Sequence, residues 1–135
     1  MAKSTGLGAS VAVDDSGGTP RTISNDITDL STSTPRPDQD VTGIDKSARE
    51  RLLLLADFTV TLNGVFNPAA APSAHAVFST VPSSSVVRTT TITVQAKVLA
   101  GELLYTDYAL TRGADGAMTW SAPGALADGT VPTWA

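Results

Sequence analysis

Apolar and polar residues alternate along the last third of the chain, and this period of two is typical of half-buried β-strands. One face of the segment RTTTITVQAKVL carries four apolar residues, Ile92, Val94, Ala96 and Val98. Ala100-Gly101 is the predicted turn after this strand. The segment ELLYTDYALTR is the second predicted strand, and AMTWSAP is the third, beyond a turn at Asp115-Gly116. Three consecutive antiparallel strands form a meander.

The middle of the chain predicts one further strand and one short helix. The segment DFTVTLNGVFN, residues 57–67, alternates between apolar and polar positions, which indicates a strand with one buried face. Prolines bracket residues 73–80, as is typical of the two ends of a helix. The segment RTISNDITDLS, residues 21–31, fits either a helix or a strand. We favour a strand because threonine, serine and asparagine are poor residues for a helix interior.

Two segments fall outside this pattern. Residues 1–20 are rich in glycine, serine and threonine, so we expect a flexible N-terminal arm in which ASVAV is a strand candidate. Residues 31–48 contain two prolines and many polar side chains, which predicts a long polar loop or arm. Loops of this length are usually functional or disordered. The chain is therefore expected to be a single domain, residues 1–135, that is mainly β: an antiparallel β-sandwich or small barrel with one short α-helix and a long polar loop.

The run Leu52–Leu55 is apolar at four consecutive positions, so both faces of a strand there would be apolar. Either both faces are covered within the protomer, or one meets a partner subunit. Arg49 and Arg51 flank Glu50 and are expected to form salt bridges, inside one chain or between subunits. The polar arm and the leucine run suit a protomer that completes its packing with its neighbours. The residues assigned to this subunit interface are Pro35, Arg36, Pro37, Asp38, Asp40, Arg49, Arg51, Leu53 and Leu55.

Composition and charge reduce the number of functions that the chain could have. The net charge of −4 argues against a nucleic-acid clamp, because such proteins usually carry a basic face. An acidic chain is better suited to lining a passage through which nucleic acid slides. The chain has no cysteine, which excludes disulfides and cysteine-zinc sites. We expect no signal peptide, and the longest apolar run is far shorter than the roughly 20 residues of a membrane helix.

No group of residues forms a catalytic constellation. His75 is the only histidine and has no acidic residue within several positions, so we expect a surface residue and not a general base. The segment DQDVTG, residues 38–43, approximates the start of a calcium-binding EF-hand loop. The position that requires glutamate is Arg49, and Glu50 comes one place late, so a polar loop is the preferred interpretation. We therefore expect no catalytic residue, no metal and no cofactor.

Several strings in the chain resemble the major tail proteins, or tail tube proteins, of long-tailed bacteriophages, especially those of actinobacterial hosts. They are TISNDIT near the start, DVTG at residues 40–43, DFTVTLNGVFN at residues 57–67 followed by His75, and LLYTDYALTRGADGAMTWSAP at residues 103–123. The resemblance runs from Thr22 to the C-terminus. It rests on strand motifs and includes no catalytic signature.

The resemblance implies a β-sandwich or barrel-like protomer of the tail tube type that assembles into hexameric rings. The rings would stack into a hollow tube around a tape-measure protein, and double-stranded DNA would later pass through the lumen. Tail terminator and distal tail proteins would meet the tube ends. The implied location is the virion tail, assembled in the bacterial host cytoplasm, with no membrane and no cofactor. Two alternatives stay open: another tail ring component, such as a terminator or connector, and a β-sandwich ligand-binding module, which would need an exposed aromatic platform.

Overall fold

The computed structural model describes residues 3–135, and a large antiparallel sheet dominates them. The strands are β1 (Ser10–Asp14), β2 (Pro20–Thr22), β3 (Ile27–Ser33), β4 (Asp38–Asp40), β5 (Arg51–Leu53), β6 (Thr59–Val65), β7 (Arg88–Val94), β8 (Lys97–Tyr105), β9 (Ala109–Arg112) and β10 (Met118–Leu126). A 3₁₀ turn covers Ser24–Asp26, and one short helix, α1, covers Ala74–Phe78. The sheet has the order β2-β1-β7-β8-β10-β6-β3, is not closed into a barrel, and β9 also pairs with β10. β4 and β5 form a separate hairpin.

The strand and the helix predicted in the middle of the chain are both confirmed. Val60 and Leu62 are buried on one face of β6, as the alternation requires. α1 begins after Ser73, whose hydroxyl accepts a hydrogen bond from a backbone amide of the first turn. In the segment 21–31, the preference for a strand is confirmed from Ile27 onward, where β3 begins.

The first turn of the C-terminal meander lies at Gln95-Ala96, so the predicted turn at Ala100-Gly101 is wrong. Both residues that join β7 to β8 have a positive φ, 49° at Gln95 and 67° at Ala96. Two-residue hairpin loops of this conformation usually contain asparagine or glycine, so the sequence carries no turn signal here. Gly101 lies inside β8, where an added β-carbon would come within 2.7 Å of Pro132.

The predicted second strand of the meander is divided in two. β8 ends at Tyr105 and β9 begins at Ala109, and both pair with β10. The turn at Asp115-Gly116 lies where the sequence predicts it, with its glycine at φ 93°. At the C-terminus, Val98 and Ala135 exchange two backbone hydrogen bonds of 3.0 and 2.8 Å. The tail therefore runs beside β8 as a short, irregular edge.

The N-terminal segment is only partly an arm. β1 lies between β2 and β7 in the sheet, and Val11 and Val13 are 2% and 0% exposed. The strand candidate ASVAV within residues 1–20 is therefore confirmed as β1. Two valines at alternate positions give this short segment an apolar face, and the core covers that face. Residues 1 and 2 lie outside the described part of the chain.

The helix α1 packs on the inner face of the sheet through aromatic rings. The ring of Phe78 lies 4.9 Å from that of Tyr105 and 5.5 Å from that of Trp120, between centroids. The indole Nε1 of Trp120 donates to the Val65 carbonyl at 3.1 Å. Buried residues from both halves of the sheet and from α1 form one cluster, so the chain has a single core. Within residues 3–135, no helix has the length and apolar character needed to cross a membrane.

Asp26 joins the 3₁₀ turn to the loop before α1 and to the helix itself. Its carboxylate accepts hydrogen bonds from the backbone amide of Ala74 at 2.8 Å and from the side chain of Asn67 at 2.9 Å. Its backbone carbonyl lies directly over Gly64 of β6, where an added β-carbon would be 1.8 Å from the oxygen. The absence of a side chain at Gly64 is what allows the turn to approach the strand.

Gly64→Ala should lower the free energy of unfolding by about 3 kcal/mol, because the added methyl group overlaps the Asp26 carbonyl and the Trp120 ring. Gly6→Ala is the matched control, since nothing lies within 4 Å of its added β-carbon. Urea denaturation followed by tryptophan fluorescence measures both. Equal unfolding midpoints for Gly64→Ala and the native chain would contradict this close approach.

Stability should also fall at high pH because of one buried phenol. The Tyr105 hydroxyl shares a 2.7 Å hydrogen bond with the Thr90 hydroxyl, and burial raises the pKa of Tyr105 to about 12. An unfolded tyrosine has a pKa of about 10, so the unfolded chain loses this proton first. The contribution is complete below about pH 10 and is lost as the pH rises to about 12, at a cost of up to about 3 kcal/mol.

Tyr105→Phe removes the ionising group and should flatten this part of the stability profile. Urea midpoints measured at intervals between about pH 9 and about pH 12, the range in which the unfolded tyrosine loses its proton before the buried one does, give the comparison. Parallel losses in the native chain and in Tyr105→Phe would show that the buried hydroxyl is not the cause.

Candidate assembly interface

The arm, residues 34–57, continues the ladder between β3 and β6 beyond the main sheet. The Asp57 amide donates to the Pro35 carbonyl at 2.9 Å, and the Leu54 amide donates to the Pro37 carbonyl at 2.8 Å. β4 and β5 then pair in antiparallel register. All residues of β4 and β5 are exposed, so this hairpin stands free of the core.

Two short strand segments lie within the long polar loop predicted for residues 31–48, and its other residues lie outside helices and strands. β3 extends to Ser33, and residues 38–40 form β4. The sequence Asp-Gln-Asp has a low strand propensity and gives no strand signal. Its pairing partner is residues 51–53, which supply the backbone hydrogen bonds from outside the predicted loop.

The interface residues assigned from the sequence all lie in this arm. They are Pro35, Arg36, Pro37, Asp38, Asp40, Arg49, Arg51, Leu53 and Leu55. The structure divides them by role. Four of them form ion pairs within the arm: Asp38, Asp40, Arg49 and Arg51. Four others line an apolar surface: Arg36, Pro37, Leu53 and Leu55. The Pro35 carbonyl accepts the backbone hydrogen bond from Asp57.

Ion pairs link the two sides of the arm. Arg51 pairs with Asp38 at 3.2 Å, and Arg49 pairs with Asp40. Hydrogen bonds from Thr42, more than the arginine, lower the pKa of Asp40. Both arginines thus find their partners within one chain. Exposed pairs of this kind contribute little to stability.

The ion pairs of Asp38 and Asp40 involve the carboxylates that calcium binding by residues 38–43 would require. Asp38 and Asp40 direct their carboxylates toward arginines and Thr42. In the part of the chain that the structure describes, no group of three or more histidine, aspartate or glutamate side chains is placed to hold a metal ion.

The leucines of the arm face solvent. The four at positions 52–55 are between 41% and 90% exposed, so the alternative in which the protomer itself covers both faces is wrong. A shallow depression, which we term the leucine surface, is lined by Arg36, Pro37, Leu53, Leu54 and Leu55. Single exposed leucines are ordinary, but a contiguous group is typical of a contact with another molecule.

A second concave surface, which we term the β3 groove, lies between the N-terminal segment and the start of β3. Its apolar lining includes Leu7, Ala9, Val11, Ile27, Leu30 and Val94. Three of these, Ile27, Leu30 and Val94, also pack against the core, so the groove reaches the edge of the core. β3 is the last strand of the sheet, and within residues 3–135 no strand pairs with its outer edge.

The sheet face opposite the core is uncharged or acidic. The strand register places Thr89 and Thr91 of β7 beside Glu102 and Ala100 of β8 on this outward face. Asp14 of β1 and Asp29 of β3 fall on the same face. Among the described strands of the main sheet, no lysine or arginine does so. Such a surface gives phosphate groups no attractive contact.

His75 is half-buried and is not the open surface residue that we expected. Its Nδ1 lies 3.2 Å from the Tyr108 hydroxyl, and its ring meets the edge of the Phe66 ring at 5.0 Å. No salt bridge to His75 occurs within the described residues. Sequence reasoning missed Asp26, which positions α1, because nothing in its local sequence distinguishes it from nearby aspartates.

Neither protein-family models nor curated protein sequences match this chain. Several solved structures match it. A chain in the tail of an empty GTA particle, refined helically with C6 symmetry, superposes with a TM-score of 0.78 at 16% identity, covering 98% of this chain and 99% of that one. A chain in the virion of a native gene transfer agent (GTA) particle gives 0.74 at 16% identity, covering 97% and 99%.

A third match extends the similarity to another assembly. A chain in the six-fold symmetrised baseplate of the anti-feeding prophage (AFP) gives a TM-score of 0.71 at 11% identity, covering 100% of this chain and 97% of that one. Each match spans nearly all of both chains, so the similarity concerns the whole domain and its arm. The mainly antiparallel fold, with its open sheet and one short helix, is the fold of chains in these tail and baseplate particles.

Proposed function

We propose that the chain is a tail tube protein, a structural virion protein that self-assembles into hexameric rings stacked into a hollow tail tube. The observation that carries this proposal is the near-complete match of its fold to a chain in a particle tail refined with C6 symmetry. The sequence resemblance to phage major tail proteins supports the same assignment. The proposal extends to a phage of the actinobacterial type, assembled in the host cytoplasm.

The free arm supports assembly with other copies. A ring with six-fold rotation has heterologous contacts, in which one surface of a copy meets a different surface of the next. A hairpin that stands free of its own core and displays leucines is suited to such a contact. The proposed subunit interface therefore consists of the residues assigned from the sequence: Pro35, Arg36, Pro37, Asp38, Asp40, Arg49, Arg51, Leu53 and Leu55.

The outward face of the sheet is proposed to line the lumen. Its threonine, serine and small side chains, with Asp14 and Glu102, offer no cation to a phosphate backbone. A surface of that kind repels double-stranded DNA weakly and lets it slide. A tape-measure protein would occupy this lumen before DNA passes, and terminator and distal tail proteins would close the ends.

Another ring component, such as a tail terminator or connector, is the second candidate. The AFP match favours it, because that chain belongs to a baseplate. A carbohydrate-binding module has less support. Tyr105 and Trp120 are buried in the core, and Trp134 is more than half exposed but stands apart from them at the chain end. We propose no catalytic activity and no cofactor.

Removing the arm tests the proposal directly. The Asp57 amide already bonds to the Pro35 carbonyl, as in a two-residue hairpin turn, so Asn-Gly can replace residues 36–56. The shortened chain should remain a folded monomer, because the arm lies outside the core, and should form no rings or tubes. Circular dichroism and negative-stain electron microscopy measure the two properties. Long tubes from the shortened chain would contradict a role for the arm.

A single substitution separates assembly from folding. Leu55→Asp should change the free energy of unfolding by less than about 0.5 kcal/mol, because the side chain is 90% exposed in the protomer. It should nevertheless prevent assembly, since burying the new carboxylate against a neighbour is costly. Val87→Asp is the control, because Val87 is exposed but lies outside the arm. Loss of the folded monomer in Leu55→Asp would show that the leucine belongs to the protomer's own packing.

A further inference from the structure

We propose that the leucine surface of one copy docks in the β3 groove of a second copy, with Arg36 of the arm facing Asp29 of the groove. This inference rests on the proposed assembly and specifies which two surfaces meet. It commits to a second copy of this chain as the occupant of the groove.

The two surfaces are apolar and each has one charge. Arg36 is the charged residue that lines the leucine surface, and Asp29 is the charged residue that lines the β3 groove. Within residues 3–135, neither forms a salt bridge. By contrast, Asp38, Asp40 and Lys46 in the arm are paired with other arm residues. An unpaired cation on one apolar surface and an unpaired anion on the other are complementary in sign.

Both charged groups are held in place by their own chain. The Arg36 Nε donates to the Leu54 carbonyl at 3.0 Å, which leaves the terminal guanidinium nitrogens free to reach outward. The Asp29 carboxylate accepts from the Asn63 amide at 2.6 Å. A carboxylate oxygen accepts more than one hydrogen bond, so this contact does not exhaust it. Preorganised partners reduce the entropy lost when two surfaces associate.

The contact is between copies and not within one. The leucines of the arm are 41–90% exposed in the protomer, so the arm does not occupy its own groove. A symmetric contact of arm with arm would stop at a dimer. A contact of arm with groove leaves one free arm and one free groove at the two ends of any open chain, so association continues until a ring closes.

The charge reversal Arg36→Asp tests the pairing together with Asp29→Arg. Each single variant should raise the concentration needed for assembly roughly tenfold or more, because like charges then face each other. The double variant, Arg36→Asp with Asp29→Arg, should restore assembly to within roughly threefold of the native chain. Arg36→Asp with Asp107→Arg is the matched control. Asp107 is exposed and lies in the loop between β8 and β9, so this pair should stay as defective as Arg36→Asp alone.

Sedimentation and electron microscopy at graded protein concentrations provide the measurement, with circular dichroism to confirm folding. Failure of the reciprocal double variant to assemble, in a sample where the native chain forms rings, would overturn the docking and leave the proposed function intact. Failure of the native chain to assemble at any concentration tested would overturn both.

Cross-linking distinguishes the two geometries independently of charge. The chain has no cysteine, so Leu55→Cys in the arm and Thr28→Cys at the groove introduce the only thiols. A mixture of the two variants should form a disulfide-linked dimer under mild oxidation, and Leu55→Cys alone should not. A dimer of Leu55→Cys alone, with none specific to the mixture, would mean that arm meets arm and would overturn the proposal.

Discussion

β3 and β6 pair over most of their length, and both the core and the arm depend on this ladder. At one end, Gly64 admits the carbonyl of Asp26, whose carboxylate fixes the start of α1. At the other end, the two segments of the chain that follow β3 and precede β6 run side by side past the sheet and form the arm. A shift of register in this one pair would move the helix and the arm together. The bulge between Ile27 and Asp29 sets that register at the point where the 3₁₀ turn meets the sheet.

The protomer keeps its stabilising contacts separate from its exposed ones. The aromatic cluster around Phe78 and the buried Arg88 lie inside, and the guanidinium of Arg88 bonds to the Asp14 carbonyl at 3.0 Å and to Thr80 at 2.9 Å. The leucines of the arm and the open edge of β3 lie outside. Under the proposed assembly, this division would let a monomer fold first and associate later. An edge strand and an exposed apolar hairpin are a risk of aggregation for an isolated protein, but in an ordered polymer they become covered.

Strands with alternating apolar and polar side chains could be predicted from the sequence. Features that depend on residues distant in the chain could not. The burial of Val60 and Leu62 could be predicted because apolar and polar residues alternate in the local sequence. The turn at Gln95-Ala96 could not be predicted, since positive φ at two non-glycine residues is imposed by the hairpin register. Nor could the strand character of residues 38–40 be predicted, because their pairing partner lies in residues 51–53. The contact between the Asp26 carbonyl and Gly64 joins residues far apart in the sequence, and neither residue has a local sequence pattern that predicts it. The residues assigned to the interface lie together in the arm, and their role between subunits is a proposal.

The central claim is that the folded monomer closes into six-fold rings through its arm. The most direct measurement is electron microscopy of the purified, concentrated native chain, with class averages that give the rotational symmetry of any particle. The account predicts rings of six copies around an open channel, alone or stacked into tubes. A chain that stays monomeric at every concentration, or that forms closed two-fold dimers, would contradict it.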